Sequence, residues 1–301
     1  MTRRLNLLLV LAALILSACR PTTSPAPSGG RIAAASTTIL ADIARNVAGD
    51  RMEVTSLLPM GADPHEFQAS PADVQRISES HVIIINGLGY ERFIQPLLDN
   101  AGGGHTIITA SDGLQPLEIS GQNGQATADP HMWLDPARVI KYVENIRDGL
   151  MAADPEGAST YQANALTYIT RLKELDDWIT QQVASIPPER RLLVTNHEAL
   201  GYFAGHYGFK VVATVIPSVS TEAGTSAREL AAVIDQVKAT GAPAIFLGQL
   251  ENADLARQIA SETGAAVVDD LYLESLTGGP PAGTYIDMMH HNVERIVAAL
   301  K

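Results

Sequence analysis

The longest helical pattern in the chain divides it into two similar halves. Apolar residues recur at helical spacing through residues 155–183, and the pair Pro187-Pro188 ends this stretch. A helix of that length would measure about 40 Å at a rise of 1.5 Å per residue, which is longer than one small domain. A chain with such a helix at its centre is predicted to fold as two parts joined by one rigid helix.

Short strand patterns alternate with helical patterns on both sides of this stretch. The predicted strands cover residues 32–35, 54–58, 81–86, 106–109, 191–195, 210–215, 244–247 and 265–268. The predicted helices cover residues 38–48, 71–78, 90–100, 136–152, 198–207, 226–240, 252–263 and 285–300. Strands that alternate with helices of this length indicate parallel sheets. The predicted fold class is therefore α/β, with two lobes, each a parallel sheet flanked by helices, at residues 32–152 and 187–301, and one long linking helix within residues 153–186.

The first nineteen residues are predicted to be a secretory signal. Arg3 and Arg4 precede an apolar run at residues 5–16, which is too short to cross a bilayer because a spanning helix needs roughly 20 residues. The following Ser17-Ala18-Cys19 resembles the bacterial lipobox, so Cys19 is predicted to carry a lipid anchor. Residues 20–31 are then a flexible tether. The alternative is an ordinary signal peptide in which this cysteine is incidental.

The composition excludes several classes of site. Cys19 is the single cysteine of the chain, so the lipidated protein has no thiol, and a metal site must use His, Asp and Glu. The chain has 33 acidic and 21 basic residues and a net charge of −12, which makes it a poor candidate for binding nucleic acid. It contains no phosphate-binding loop, and the pair His197-Glu198 lacks the second histidine of a zinc protease.

Three of the eight histidines are candidate metal ligands. The tripeptide Asp-Pro-His occurs twice and ends at His65 and at His131. In each copy an aspartate suited to capping precedes a proline suited to a first helical turn, which predicts an imidazole held at the start of a helix. His197 follows the predicted strand 191–195, and ligands of α/β sheets lie beyond the carboxyl ends of strands. The remaining histidines, for which we predict packed or surface positions, are His81, His105, His206, His290 and His291.

A fourth ligand is needed to close a tetrahedral site. Asp269 and Asp270 follow the predicted strand 265–268 and are the carboxylate candidates. Strand alternation points them in opposite directions, so the residues alone leave the choice open, and both could instead be solvated or capping groups. Glu198 lies directly after His197 and is predicted to cap a helix or to support that histidine.

Several segments together resemble one protein family. They are Ser-Thr-Thr-Ile-Leu at 36–40, Leu-Pro-Met-Gly-Ala-Asp-Pro-His-Glu-Phe at 58–67, Asp-Pro-His-Met-Trp-Leu-Asp-Pro at 129–136, His-Glu-Ala-Leu-Gly-Tyr-Phe at 197–203, Ser-Thr-Glu-Ala-Gly-Thr-Ser at 220–226 and Gly-Thr-Tyr at 283–285 with Met288 and Met289. On these segments the chain resembles the zinc/manganese-binding solute-binding lipoproteins of bacterial ABC importers, of the cluster A-I zinc-uptake type. The resemblance covers residues 32–300.

The resemblance implies two lobes, one long helix and a metal ion bound between the lobes. It places the first three ligands on His65, His131 and His197, and it places the fourth on Asp270 rather than on Asp269. The third ligand of the family is His in zinc-type members and Glu in many manganese-type members. Two features depart from the family. Residues 120–128 lack the histidines of a zinc-collecting loop, and Gln249 stands where relatives often have Glu.

The expected function is high-affinity binding of a divalent metal outside the cytoplasm and its delivery to an ABC permease driven by a separate ATPase. Three imidazoles and one carboxylate suit tetrahedral zinc, and manganese, which prefers more oxygen ligands, is the alternative cation. Four protein ligands leave no open position for a catalytic water, so an enzyme is not expected. The protein is expected to be a monomer, anchored to the bacterial membrane by its lipid. A surface metallo-hydrolase and a metal-stabilised adhesin are the rival interpretations.

Overall fold

The fold is described here from a computed structural model, which covers residues 31–120 and 126–301. The predicted signal peptide, Cys19 and residues 20–30 of the predicted tether lie outside the described residues. Within them, no helix combines the length and the apolar composition needed to cross a membrane.

The N-terminal lobe contains a four-stranded parallel sheet. Its strands are β1 (Ile32–Ala35), β2 (Glu53–Ser56), β3 (Val82–Ile85) and β4 (Thr106–Thr109), in the order β2-β1-β3-β4. Its helices are α1 (Thr38–Ala48), α2 (Pro71–Glu79), α3 (Ile94–Ala101) and α4 (Pro136–Ala153). A short antiparallel hairpin of β5 (Glu118–Ser120) and β6 (Ala126–Ala128) precedes α4, and the sequence pattern did not predict it.

The linking helix is α5 (Ala158–Ala184). The first three residues of the predicted helix instead form a separate 3-10 turn, Pro155–Gly157. The buried face of α5 repeats at the helical period, through Tyr161, Ala165, Tyr168, Leu172, Leu175, Ile179 and Val183. This stripe of apolar residues fixes which side of α5 faces the core, and it confirms that one long helix lies between the two sheets.

The C-terminal lobe repeats the topology of the first. Its strands are β7 (Leu192–Thr195), β8 (Lys210–Thr214), β9 (Ala244–Gly248) and β10 (Ala266–Leu271), in the order β10-β9-β7-β8. Its helices are α6 (Gly201–Tyr207), α7 (Ala227–Thr240), α8 (Asp254–Thr263) and α9 (Tyr285–Leu300). In each sheet the first strand of the lobe pairs with the second and the third, so each lobe has a point at which the strand order reverses. Such points are where α/β sheets bind ligands.

Three boundaries differ from prediction in ways that shape the site. Helix α3 begins at Ile94 instead of residue 90, because the chain turns with positive φ angles at Gly87, Leu88 and Gly89. Helix α6 begins at Gly201 instead of residue 198. Strand β10 continues to Leu271, with a register shift after Val268. The two helix differences leave loops where longer helices were expected, and the third extends a strand through Asp269 and Asp270.

The two lobes share one apolar core. Tyr142, Tyr168, Phe203 and Tyr285 are fully or almost fully buried and belong to a single cluster that draws on both lobes and on α5. The contacts accordingly group Arg31–Lys301 as one unit. The lobe boundaries at residues 152 and 187 therefore stay a prediction.

A buried ion pair fixes the corner between α4 and α5. The Asp154 carboxylate is fully buried and accepts two hydrogen bonds from Arg51, at 2.7 and 3.0 Å, and one from the Tyr161 hydroxyl at 2.8 Å. These hydrogen bonds, those from Arg51 above all, hold the pKa of Asp154 at about 2, below its ordinary value of 3.8. A carboxyl group whose pKa is lower in the folded than in the unfolded protein stabilises the fold at any pH above its unfolded-state pKa. This contribution is lost as the pH falls toward the folded-state pKa.

We therefore predict that Asp154→Asn lowers the free energy of unfolding by about 2 kcal/mol at pH 7. The difference from wild type should shrink as the pH falls from 4 toward 2. Urea unfolding at several pH values measures both quantities. Glu156→Gln is the matched control, since Glu156 contacts the same Arg51 at 3.3 Å with an exposed side chain, and it should change stability little. A difference between Asp154→Asn and wild type that persists unchanged at low pH would contradict this assignment.

Candidate metal centre

Four side chains converge on one point between the two lobes. His65, His131, His197 and Glu274 each direct one potential ligand atom to a common centre, and these atoms all lie within 4.8 Å of one another. The Glu274 Oε1 atom lies 3.9 Å from Nε2 of His65, 3.4 Å from Nε2 of His131 and 3.3 Å from Nε2 of His197. Donors on a tetrahedral ion with bonds of 2.0–2.2 Å are roughly 3.3–3.6 Å apart. The cluster therefore already has nearly the dimensions of a metal coordination shell.

Two atoms of this cluster have no hydrogen-bond partner among the residues that the structure describes. They are Nε2 of His65 and Oε1 of Glu274, and both are buried. A buried carboxylate oxygen without a partner is costly. A cation bound at the centre of the four side chains would satisfy both atoms at once, so the donor set fits a divalent metal.

The Asp-Pro-His repeats orient two of the imidazoles through tight turns. Oδ1 of Asp63 accepts the backbone N–H of His65 at 2.8 Å, and Oδ1 of Asp129 accepts that of His131 at 2.9 Å. Neither histidine starts an α-helix, which corrects the prediction from sequence. Residues 61–70 are irregular before α2, and a 3-10 turn, Met132–Leu134, follows His131. The aspartates thus cap turns, and the turns place the rings.

Carboxylates behind the rings set which nitrogen faces the centre. Nδ1 of His131 donates to Asp129 at 2.8 Å, and Nδ1 of His197 donates to Oε1 of Glu251 at 2.6 Å. Hydrogen bonds of this kind leave Nε2 unprotonated and directed at the metal, and they increase the basicity of the ligand. His197 and Glu251 follow β7 and β9, which are neighbours at the point where the strand order of the C-terminal sheet reverses.

The histidines of the cluster differ in the direction in which their pKa values are shifted. Burial lowers the pKa of His65 to about 3, although Glu274 opposes this effect. Burial also disfavours the charged form of His197, but a hydrogen bond to Glu251 and the nearby Glu274 carboxylate outweigh it and raise the pKa of His197 to about 10. Burial would raise the pKa of Glu274, yet His131 and His197 hold it well below its usual range. The raised pKa of His197 and the lowered pKa of Glu274 together favour a positively charged imidazole beside a negatively charged carboxylate.

The centre communicates with solvent on the side of His65. A cavity of about 140 Å³ opens there, and Tyr90, Arg92, Val219 and Ser220 are among its lining residues. At its rim, Arg92 and Glu222 form an exposed ion pair at 3.3 Å between the two lobes. His131, His197 and Glu274 are buried more deeply than His65, so an ion arriving through this cavity meets His65 first.

The structure does not bring Asp270, the predicted fourth ligand, to the histidines. Its side chain is 44% exposed and accepts a hydrogen bond from Arg295 of α9 at 2.9 Å. Asp269 faces Arg257 of α8 at 3.5 Å. Since β10 continues to Leu271, both aspartates belong to the strand and bind its flanking helices. The chain reaches the centre three residues later, at Glu274.

The other candidates also lie outside the cluster. Glu198 caps no helix; its carboxylate accepts a hydrogen bond from Thr214 of β8 at 2.9 Å. Gln249 is exposed. None of the five histidines predicted to be packed or exposed belongs to the group of potential ligands found among the described residues. His290, for example, packs against Trp178, with ring centroids 4.1 Å apart.

Sequence reasoning missed Glu274, Glu251 and Tyr90. Glu251 has a usable signal, because it follows β9 by three residues on the side of the sheet where ligands bind. Glu274 and Tyr90 lie in irregular segments with no periodicity to mark them. The Tyr90 hydroxyl donates to Oε2 of Glu274, which leaves Oε1 directed at the histidines.

Residues 34–299 match the family described as ZnuA, the periplasmic component A of a zinc-uptake complex. The chain belongs to this family. It is 38% identical over 263 residues to the manganese-binding lipoprotein MntA of Halalkalibacterium halodurans, covering 87% of this chain and 86% of the relative. It is 33% identical to the iron-binding protein YfeA of Yersinia pestis, covering 86% and 83%. The Mn-bound periplasmic metal-binding protein of Candidatus Liberibacter asiaticus superposes with a TM-score of 0.81 at 30% identity, covering 90% of this chain and all of that one.

Family membership confirms several expectations from sequence. The chain is an extracytoplasmic solute-binding protein and not an enzyme, and it binds a divalent metal for import by an ABC transporter. The two parallel sheets, the long helix α5 and the cluster between the lobes agree with the architecture that the resemblance implied.

We predict that metal binding displaces one proton at neutral pH. The raised pKa of His197 means that this imidazole is protonated at pH 7 without metal, and only its neutral form can bind the ion. Apparent affinity should therefore rise about tenfold per pH unit between pH 6 and pH 8. Calorimetry in buffers of different ionisation enthalpy measures the released protons.

Glu251→Gln provides the control for this prediction. Without the Glu251 carboxylate the pKa of His197 should fall, so fewer protons should be released at pH 7, and the metal affinity should drop about 10- to 100-fold. Binding by the unaltered protein without proton release would show that His197 is neutral before the metal arrives.

Proposed function

We propose that His65, His131, His197 and Glu274 bind the transported cation, and that this cation is manganese. The observation that carries the proposal is the buried Oε1 atom of Glu274, which lies 3.3–3.9 Å from three imidazole nitrogens and has no hydrogen-bond partner among the described residues. Three imidazoles and one carboxylate suit divalent first-row metals.

The choice of manganese reverses the preference drawn from the sequence. Three nitrogen donors and one oxygen would hold zinc more tightly than manganese on intrinsic affinity. The relatives support the opposite choice, since MntA is named as manganese-binding and the Liberibacter protein has been solved with manganese. Because metal availability contributes to selectivity in cells as well as affinity, we take zinc as a tight-binding competitor and manganese as the cargo.

The remaining parts of the import system lie outside this chain. The chain contains no Gly-x-x-x-x-Gly-Lys motif, so a separate ATPase supplies the energy and a membrane permease accepts the metal. In this proposal a lipid on Cys19 anchors the protein, and residues 20–31 connect the anchor to the folded part. The protein acts as a monomer.

We predict that Glu274→Gln weakens the binding of both Mn²⁺ and Zn²⁺ at least tenfold, because it removes the only negative charge among the four ligands. His65→Ala and His131→Ala should have effects of at least this size. Asp270→Asn is the matched control, as it removes the same charge from an exposed carboxylate near the end of β10, and it should change affinity less than twofold. Competition with a fluorescent chelator measures all four variants.

The outcome for this pair of substitutions decides which carboxylate belongs to the site. A large loss with Asp270→Asn and a small loss with Glu274→Gln would restore Asp270 as the ligand. Equally small losses of metal affinity with both substitutions would show that neither carboxylate is a ligand.

Metal uptake by cells tests the proposed cargo. In the host strain that lacks this chain, the unaltered protein should restore cellular manganese, and Glu274→Gln should not, while Asp270→Asn should restore it fully. Elemental analysis of washed cells grown at limiting manganese or limiting zinc provides the measurement. If the unaltered protein restored cellular zinc and not cellular manganese, zinc would be the cargo of this site.

A further inference from the structure

The segment that carries Glu274 changes its attachment from one lobe to the other just before this residue. Up to Tyr272 the chain is bound to C-terminal elements. The backbone N–H of Gln249 donates to the carbonyl of Leu271 at 2.7 Å, and the N–H and carbonyl of Tyr272 both bind the Asn292 side chain of α9, at 2.8 and 2.7 Å. These contacts continue the edge of the C-terminal sheet.

From Leu273 to Leu276 the hydrogen bonds that anchor the segment are with the N-terminal lobe. The Trp133 indole N–H donates to the carbonyl of Leu273 at 2.8 Å. The Tyr90 hydroxyl donates to the Glu274 carboxylate. Both partners lie in N-terminal loops, Tyr90 in the turn after β3 and Trp133 in the 3-10 turn before α4.

Ser275 also connects this segment to the N-terminal lobe. Its hydroxyl accepts the backbone N–H of Gly61 at 2.9 Å and lies 3.3 Å from the Thr38 hydroxyl. Thr38 is the first residue of α1, and its hydroxyl also accepts the N–H of Leu276 at 2.9 Å. The side chains of Thr38 and Ser275 are both buried, so water does not replace these hydrogen bonds.

We propose that Ser275 and Thr38 are positioning residues that fix the Glu274 ligand to the N-terminal lobe. This inference rests on the proposed function of the site. It divides the ligands unequally. His65, His131 and Glu274 form a three-ligand half-site held by the N-terminal lobe, and His197 alone is held by the C-terminal sheet through β7 and Glu251. Separation of the lobes then breaks one metal–ligand bond and leaves three in place.

The experiment compares Ser275→Ala and Thr38→Val in two backgrounds, with Glu274 and with Glu274→Gln. Dissociation of Mn²⁺ and Zn²⁺ into excess chelator is followed by stopped flow, and the melting temperature of each metal-free protein is measured. With Glu274 present, each substitution should speed metal release about tenfold or more, as loss of a group that orients a ligand does. In the Glu274→Gln background, the same substitution should change release less than twofold, because its effect passes through the carboxylate.

Two further variants separate positioning from general stability. Thr38→Ser keeps the hydroxyl and should release metal at the unaltered rate. Thr277→Val removes a hydroxyl two residues beyond Ser275 that, within the described part of the chain, bonds only to Gly279 of its own loop, and it should also leave the rate unchanged. If Ser275→Ala does not fold, the comparison of Thr38→Val with Thr38→Ser still decides the question.

The proposal is overturned if Ser275→Ala and Thr38→Val release metal at the unaltered rate, or if they speed release equally in both backgrounds. Either result leaves the assignment of Glu274 intact. Failure of the proposed function has a different signature, since Glu274→Gln alone would then leave metal binding unchanged.

Discussion

The site depends on the burial of one carboxylate among three imidazoles. Glu274 is almost completely shielded from water, and an unbalanced charge in such a place is strongly unfavourable. Two kinds of positive charge can balance it, a proton on the neighbouring imidazoles or a metal ion at their centre. The outer nitrogens of His131 and His197 donate hydrogen bonds to Asp129 and Glu251, and these bonds serve the same end because they direct the Nε2 atoms of both rings at this carboxylate. The remaining architecture brings these groups together from distant parts of the chain.

Two sheets of identical strand order bring these groups together, because the loops that follow their strands face a common region. His197 and Glu251 follow adjacent strands of the C-terminal sheet, and Ser36 and Glu91 follow adjacent strands of the N-terminal one. Ser36 donates to Glu91 at 2.7 Å, in the same turn that carries Tyr90. The loops that were predicted to be helical, at residues 90–93 and 198–200, are the ones that supply or flank these groups. A helix beginning earlier would have fixed their side chains along its own surface instead of aiming them between the lobes.

The sequence was sufficient for the fold because apolar periodicity determines both strands and helices. The stripe on α5 and the short apolar strands are visible residue by residue, and most boundaries agree within two or three positions. The histidines were found through the repeated Asp-Pro-His motif, whose aspartates do orient backbone and ring. Glu274 could not be found in this way, since it lies in an irregular segment whose position is set by Thr38, Gly61 and Trp133, residues more than a hundred positions away. Asp270 was chosen by resemblance, whereas in the structure its carboxylate accepts a hydrogen bond from Arg295 of α9.

Charge balance also explains how such a site can bind tightly and still release its ion. The raised pKa of His197, which Glu251 supports through a hydrogen bond, favours a positive charge opposite Glu274 before a metal binds. Binding is therefore an exchange of one cation for another within a preformed arrangement, and the buried carboxylate is not left uncompensated when the metal leaves. The imidazole that accepts this proton is also the one ligand attached to the C-terminal sheet. In the proposed division of the ligands, protonation of His197 and its withdrawal from the other three ligands would therefore favour each other.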